Sequence, residues 1–179
     1  MMKPMINLHS QAVRESLYAD EALGIGNFLF KVLELEVDRE GVLFSLEQPF
    51  VTPCGTRFEQ LSLTDLYQAV AELAAWYQQL DVHAGKIVLT YTSEGISQFL
   101  HFLALTSLGA IPAPVNCNMR PDITLLYHRK YRFDRLVYDQ HAHSEELVRL
   151  TAGQHDIYAC DIVDPALPAQ PDGDWPIQY

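Results

Sequence analysis

Positive charge is what this chain has least of. Twelve Lys and Arg stand against 23 Asp and Glu in 179 residues, a formal net charge of -11. That balance argues against a nucleic-acid binder or a protein held on an anionic membrane, since both need cationic surface. Cysteine is scarce as well: Cys54, Cys117 and Cys160 are odd in number and lack paired spacing. Reduced thiols in the cytoplasm are therefore expected, not a disulfide framework. No apolar run reaches the length of a membrane span, and Met1-Met2-Lys3-Pro4-Met5 lacks the apolar core of a signal peptide. Internal repeats and low-complexity tracts are missing too. What is there is a chain 49% hydrophobic, enough for a real core in one domain.

The clearest local signals lie between Leu61 and Asn116. Ser62 followed by Asp65 is a capping pair, with Leu61 and Leu66 placed as a hydrophobic staple. Leu66, Val70, Leu73, Ala74 and Tyr77 then recur at helical spacing, and the helix is expected to end near Asp81–Gly85. Ile87–Tyr91 reads as a buried strand, and Thr92 or Ser93 as the cap of a second helix buried through Ile96, Phe99, Leu100, Leu103 and Ala104. Gly109 stops that helix. Ala110–Val115 reads as a further strand whose two prolines remove ladder donors on one side.

Upstream, residues 26–36 read as a helix entered at Asn27, and residues 42–46 and 57–61 as paired strands joined by the turn residues Thr52–Thr56. Downstream, Pro121 opens a helix to about Tyr131. Arg135–Asp139 and Ile157–Cys160 read as short strands, with a helix over Ser144–Leu150 between them. Strand and helix alternate, which predicts an α/β fold: an incomplete doubly wound, mainly parallel sheet with a small antiparallel pair near the N-terminus.

Catalytic signatures fail on geometry. Gly24-Ile25-Gly26 lacks the third Gly of a dinucleotide loop, where Leu29 stands. Gly85-Lys86 has Leu80 and Ile87 where a phosphate loop needs Gly and Ser/Thr. Ser97 sits in an elbow-like Gly95-Ile96-Ser97-Gln98-Phe99, but Phe99 blocks the second Gly position, so Ser97 reads as the polar face of a helix. His141 and His143, with Asp139 or Glu145, form the one metal-like cluster, and a polar loop capped by Ser144 explains them better. Arg120, Arg129, Lys130, Arg132 and Arg135 can steer an anion, though a solvated helix face fits them better. Tyr127 and Tyr131 read as core or edge packing. No position is assigned a catalytic, cofactor-binding or metal-ligating role.

The order of these segments resembles the N-terminal portion of the adenylate-forming (AMP-binding) superfamily, close to acyl- and aryl-CoA synthetases. Leu61-Ser62-Leu63-Thr64-Asp65-Leu66 is similar to its L-T-Y-x-E-L, and Val82-His83-Ala84-Gly85 partly matches its G-V-x-P-G-D, with Asp81 at the first Gly. Ala104 to Asn116 matches A-x-x-x-x-G-A-x-x-x-P-L-N, and Arg135–Asp139 fits the next strand.

The resemblance implies three segments: residues 1–25 a poorly defined leader, 26–162 the N-terminal α/β subdomain, and 163–179 a Pro/Asp-rich connector. Trp175–Tyr179 then resembles the strand that leads into the family's phosphate loop. For the whole protein it implies an acid–CoA ligase that uses ATP, Mg and coenzyme A on a small carboxylic acid. This stretch alone is expected to bind none of these cofactors and to be inactive. Kindred alternatives are a fatty acyl-AMP ligase or an amino-acid adenylation domain. A non-catalytic α/β interaction module is the alternative from another class. Self-association through a bare sheet edge is expected of the ligase fragment, whereas a covered edge and a monomer are expected of the module.

Overall fold

The capping pair forms as the sequence requires. The Ser62 side chain accepts from the Asp65 N–H, and the Asp65 carboxylate accepts from the Ser62 N–H at 2.9 Å. This starts a helix at Leu63, with the staple residues Leu61 and Leu66 both buried. A computed structural model describes residues 11–35, 38–93, 95–139, 146–147, 149–151 and 153–163. In chain order the elements are α1 (Gln11–Ala19), α2 (Phe28–Leu35), β1 (Phe44–Val51), β2 (Arg57–Leu61), α3 (Leu63–Gln79), β3 (Ile87–Tyr91) and α4 (Gly95–Ser107). They continue with β4 (Ile111–Pro114), α5 (Pro121–Tyr131), β5 (Arg135–Tyr138) and β6 (Ile157–Ala159).

Two sheets result, and they match the expected fold class. β1 and β2 pair antiparallel, while β4-β3-β5-β6 form a parallel sheet in that order. β3 lies between β4 and β5, so the chain crosses it in opposite directions on successive connections. Right-handed crossovers then place the two helices on opposite faces. The side chains agree. Val88 and Val137 point into a core with Leu73, Tyr77, Leu100 and Leu105 of α3 and α4. Leu89, Tyr91, Leu136 and Tyr138 point the other way, to Leu125 of α5 and to Leu147. This is period-2 alternation serving two buried faces.

Carboxylates fix both ends of the β3–β5 pair. At the amino end, Asp134 accepts from the Ile87 N–H at 2.8 Å and from Lys86 Nζ at 2.9 Å. The Ile87 amide, then Lys86, hold the Asp134 carboxyl below its usual value. Arg135 ties the same end to α3, donating from Nε to the Leu80 carbonyl at 2.8 Å. The hairpin is anchored by Glu72, a fully buried residue of α3. Its carboxylate accepts from Thr52 Oγ1 at 2.5 Å, Thr56 Oγ1 at 2.8 Å and Gln68 Nε2 at 3.0 Å. A buried carboxylate needs about that many donors to offset its lost hydration.

Several expectations are corrected. Residues 11–19, read as part of a leader, form α1 and bury Leu17 against the core. Asn27 does not cap α2 with its side chain. Its Oδ1 accepts from Gly24 N and its Nδ2 donates to the Ala22 carbonyl, folding the approach back on itself. Gly26 has a packing role there, since a Cβ would sit 2.6 Å from the Thr106 carbonyl of α4.

β1 runs past Leu46 through Pro49 to Val51, which a register shift between Ser45 and Phe50 permits. Phe99 is 41% exposed and lies off the buried stripe of α4. Asp81, where the resemblance implies a Gly, adopts φ 61°, a left-handed conformation that Gly takes without strain. Trp175–Tyr179, His141, His143 and Glu145 lie outside the described residues.

β4 is an edge strand. Ile111 donates inward to the carbonyl of Lys86, just before β3, and Val115 to that of Thr90 in β3, so Pro112 and Pro114 take the outward positions. That edge offers acceptors without donors, which discourages strand addition by a second chain.

The α3–α4 contact contains a fully buried histidine. Tyr77 Oη lies 2.7 Å from His101 Nδ1, and Trp76 meets the ring edge-on at 6.4 Å. Burial disfavours the imidazolium and pushes the His101 pKa down to about 4. The unfolded chain takes up this proton near pH 6.5 and the folded one only near 4. Stability from this group is therefore complete above pH 6.5 and falls as pH drops toward 4, by about 3 kcal/mol. Urea unfolding across that range should show the loss, and His101→Gln should remove it. An unchanged pH slope in the variant contradicts a buried neutral His101.

Candidate functional site

In a doubly wound sheet, connections that leave neighbouring strands toward opposite faces open a crevice at their carboxyl ends. Here that point falls between β3 and β5. β3 leads to α4 on one face, and after β5 the chain reaches Leu147 on the other. Asp139 follows β5, and Ser93 lies two residues beyond β3. The Asp139 Oδ2 accepts from the Ser93 N–H at 2.6 Å and from Ser93 Oγ at 2.7 Å. Ser93, expected with Thr92 to cap α4, is engaged across the switch point. Asp139 matches Asp134 at the other end of β5, and between them they fix both ends of the central strand pair.

Around this bridge lies a cleft of about 520 Å³, within the range of small-ligand sites. Ser93, Ser97, Asp139, Cys160 and Asp161 line its sheet side, and Gln48, Pro49, Phe50, Val51 and Arg57 of the hairpin line the other. Its electrostatics are negative. Asp139 is 5% exposed, and its Oδ1 has no hydrogen-bond partner among the described residues. Burial first, then the Asp139 and Asp161 carboxylates, raise the Cys160 thiol well above its usual value. Cys160 is accordingly a neutral thiol and no nucleophile. Arg57, the cation in the lining, pairs with Glu59 at 3.6 Å. Among the described residues no histidine lines the cleft, and Ser97 sits in the first turn of α4.

These residues do not fit a nucleotide with its metal. Among the described residues a carboxylate holds the place nearest the start of α4, and the lining sets two acidic groups against one cation, Arg57. Among the described residues no group of three or more His, Cys, Asp or Glu is arranged to hold a metal ion. None of Cys54, Cys117 and Cys160 forms a disulfide.

The basic cluster is dispersed. Arg120 pairs with Asp122 at 2.8 Å, Arg135 is engaged at the amino end of β5, and Arg129, Lys130 and Arg132 are exposed beside the C-terminus of α5. That end of α5 leads into the amino end of β5, opposite the crevice. Tyr127 and Tyr131 are not core residues but a surface stack 5.7 Å apart, 38% and 53% exposed.

A second cleft, about 560 Å³, runs between α2, β1, α3 and α4, where Ile25, Phe28, Phe44, Leu66, Phe99 and Phe102 line it. It is slightly larger, but almost wholly apolar and without converging polar groups, so it offers packing surface and no chemistry. No described helix is long and apolar enough to cross a membrane.

The layered sheet with its preceding hairpin is the fold of the N-terminal portion of adenylate-forming enzymes, a class that includes acyl-CoA synthetases and adenylation domains. The N-terminal subdomain of Klebsiella oxytoca NpsA, in complex with 3-hydroxybenzoyl-AMSN, matches with a TM-score of 0.52 at 20% identity, over 66% of this chain and 28% of that one. A benzoate CoA ligase from Burkholderia xenovorans matches with a TM-score of 0.55 at 14% identity, over 82% of this chain and 27% of that one. Among curated proteins, a 3-aminoavenalumate diazotase from a Streptomyces species is 33% identical over 123 residues, 69% of this chain and 22% of the diazotase. The chain thus spans about a quarter of the length of the proteins it matches. No family model matches it.

Sequence reasoning named Asp139 as the end of a strand and Ser93 as a cap. It missed that the two meet, and it gave no role to Gln48, Cys160 or Asp161. An acidic residue closing a buried strand beside the point where strand order reverses was the available signal. Asp139→Ala leaves the Ser93 N–H and hydroxyl without their acceptor and should destabilise by about 2 kcal/mol in urea unfolding. Asp139→Asn, which keeps one acceptor oxygen, should lose less than half of that. Equal losses in the two variants contradict the bridging role.

Proposed function

We propose that this chain is the N-terminal part of the acid-activating domain of an ATP-dependent adenylate-forming ligase, and that it is inactive alone. The observation that carries the reading is the doubly wound layer, supported by 33% identity over 123 residues to a curated protein. A carboxylate is a poor electrophile because its leaving group is oxide. Joining it to AMP, with release of pyrophosphate, creates a better leaving group for attack by a thiol, and a CoA thioester is the product in this reading. Such a step needs donors and a cation around phosphate. The described crevice sets only Arg57 and two serine hydroxyls against two carboxylates, so in this reading the chain's contribution is scaffold: α3, α4 and β3 hold the layer on which further sequence packs.

The diazotase likeness favours a second reading, in which the full-length protein acts on an amine-bearing acid. Both readings are tested by expressing the complete reading frame that contains residues 1–179 beside the 179-residue chain. Acid-dependent release of pyrophosphate from ATP is expected from the complete product and not from the chain alone. Turnover by the chain alone, or none by the complete product with any carboxylic acid, contradicts the proposal. Nitrite consumption with an amine-bearing aryl acid selects the second reading.

A further inference from the structure

Helix α5 carries apolar side chains on two faces. Pro121, Thr124, Leu125 and His128 are buried on the side toward the sheet. On the other side Ile123, Leu126, Tyr127 and Tyr131 are 37%, 57%, 38% and 53% exposed. Spacings of three and four residues set these four in one stripe, where a solvated helix face is ordinarily polar. The Tyr127 and Tyr131 rings stack with centroids 5.7 Å apart and planes 9° from parallel, so part of the stripe is ordered in advance of any contact. Lys130 is no interruption, since its Nζ lies 5.3 Å from the Tyr131 centroid.

The charges beside the stripe say which partner fits. Asp122 in the first turn and Arg129 in the last are seven residues apart, two turns, and share one flank. Asp122 pairs only with the exposed Arg120 on the same surface, a contact of small value, and Arg129 pairs with no carboxylate among the described residues. Turned end for end about a two-fold axis near Tyr127, the stripe matches itself. Ile123 then faces Tyr131 of a second copy, and Asp122 of each copy faces Arg129 of the other. Such reciprocity is what an isologous contact requires. The β4 edge, by contrast, offers a second copy acceptors without donors.

We propose that α5 is a self-association face, pairing antiparallel with α5 of a second copy through Ile123, Leu126, Tyr127 and Tyr131. Its 11 residues span about 16 Å, short of what an interface burying roughly 1,200 Å² needs. The dimer is therefore weak, with a Kd of about 0.1–1 mM. Nothing in the acid-activating reading uses this face, so failure here leaves that reading intact.

The test is a dilution series of the 179-residue chain from about 1 mM to about 10 μM, followed by amide NMR shifts and sedimentation equilibrium. Shifts that change with concentration should centre on α5 and fit a monomer–dimer equilibrium. Leu126→Asp should weaken the dimer at least about tenfold. Asp122→Arg and Arg129→Asp each set like charges opposite one another and should each weaken it about fivefold. The two substitutions together restore opposite charges and should bring the Kd back to within about twofold. All three positions lie on the surface, so the variants keep the fold, and their amide spectra check that. A monomer throughout the series, which leaves the face to a different occupant, overturns the assignment. So does a dimer whose shifts map to another surface, or a double variant that associates no better than either single one.

Discussion

Burial of β3 on every side is the constraint on which the rest of the structure depends. Val88, Leu89, Thr90 and Tyr91 are almost wholly inaccessible, and strands flank β3 on both edges. Such a strand has no solvent face, so its sequence is a continuous apolar run, not an alternation. Both helical layers follow from it: α3 and α4 cover the Val88 side, while α5 and the segment around Leu147 cover the Leu89 and Tyr91 side. The Tyr91 hydroxyl donates to the Met119 carbonyl and so holds the loop between β4 and α5. Removing β3 leaves neither core with a floor.

Elements whose cause is local were legible in the sequence. Ser62 and Asp65 set the start of α3, the Ile87–Tyr91 run is β3, and Pro121 opens α5 as its missing N–H allows. Gly109 ends α4 at φ 69°. Features that depend on contacts distant in sequence were not legible. Phe99 has helical spacing with the core residues of α4, yet it turns toward Phe44 of the hairpin, 6.5 Å away, and stays half exposed. Asn27 has the chemistry of a cap but finds nearer partners in Ala22 and Gly24. The Ser93–Asp139 bridge joins residues 46 apart, and no pattern within either segment announces it.

The crevice sets the chain's fold likeness against its local chemistry. The proposed ligase must hold phosphate, whereas Asp139 and Asp161 are among the described residues that line the crevice. The two statements are compatible because the chain spans about a quarter of its relatives' length. Groups that meet phosphate belong, in the proposed ligase, to other sequence. The part seen here fixes a sheet and the crevice at its carboxyl edge. Arg57 lines that crevice, while Arg129, Lys130 and Arg132 are exposed at the far end of α5 and Arg120 and Arg135 are engaged with Asp122, Leu80 and Asp134.

Native-state hydrogen exchange tests the central claim most directly, because it ranks amides by the free energy needed to expose them. If β3 is the element on which both layers rest, the amides of Val88–Tyr91 exchange only with global unfolding and are the slowest in the chain. Those of the β1–β2 hairpin and α1 exchange faster, through local opening. A hairpin more protected than β3, or a β3 that opens while α3 and α4 stay protected, contradicts the account.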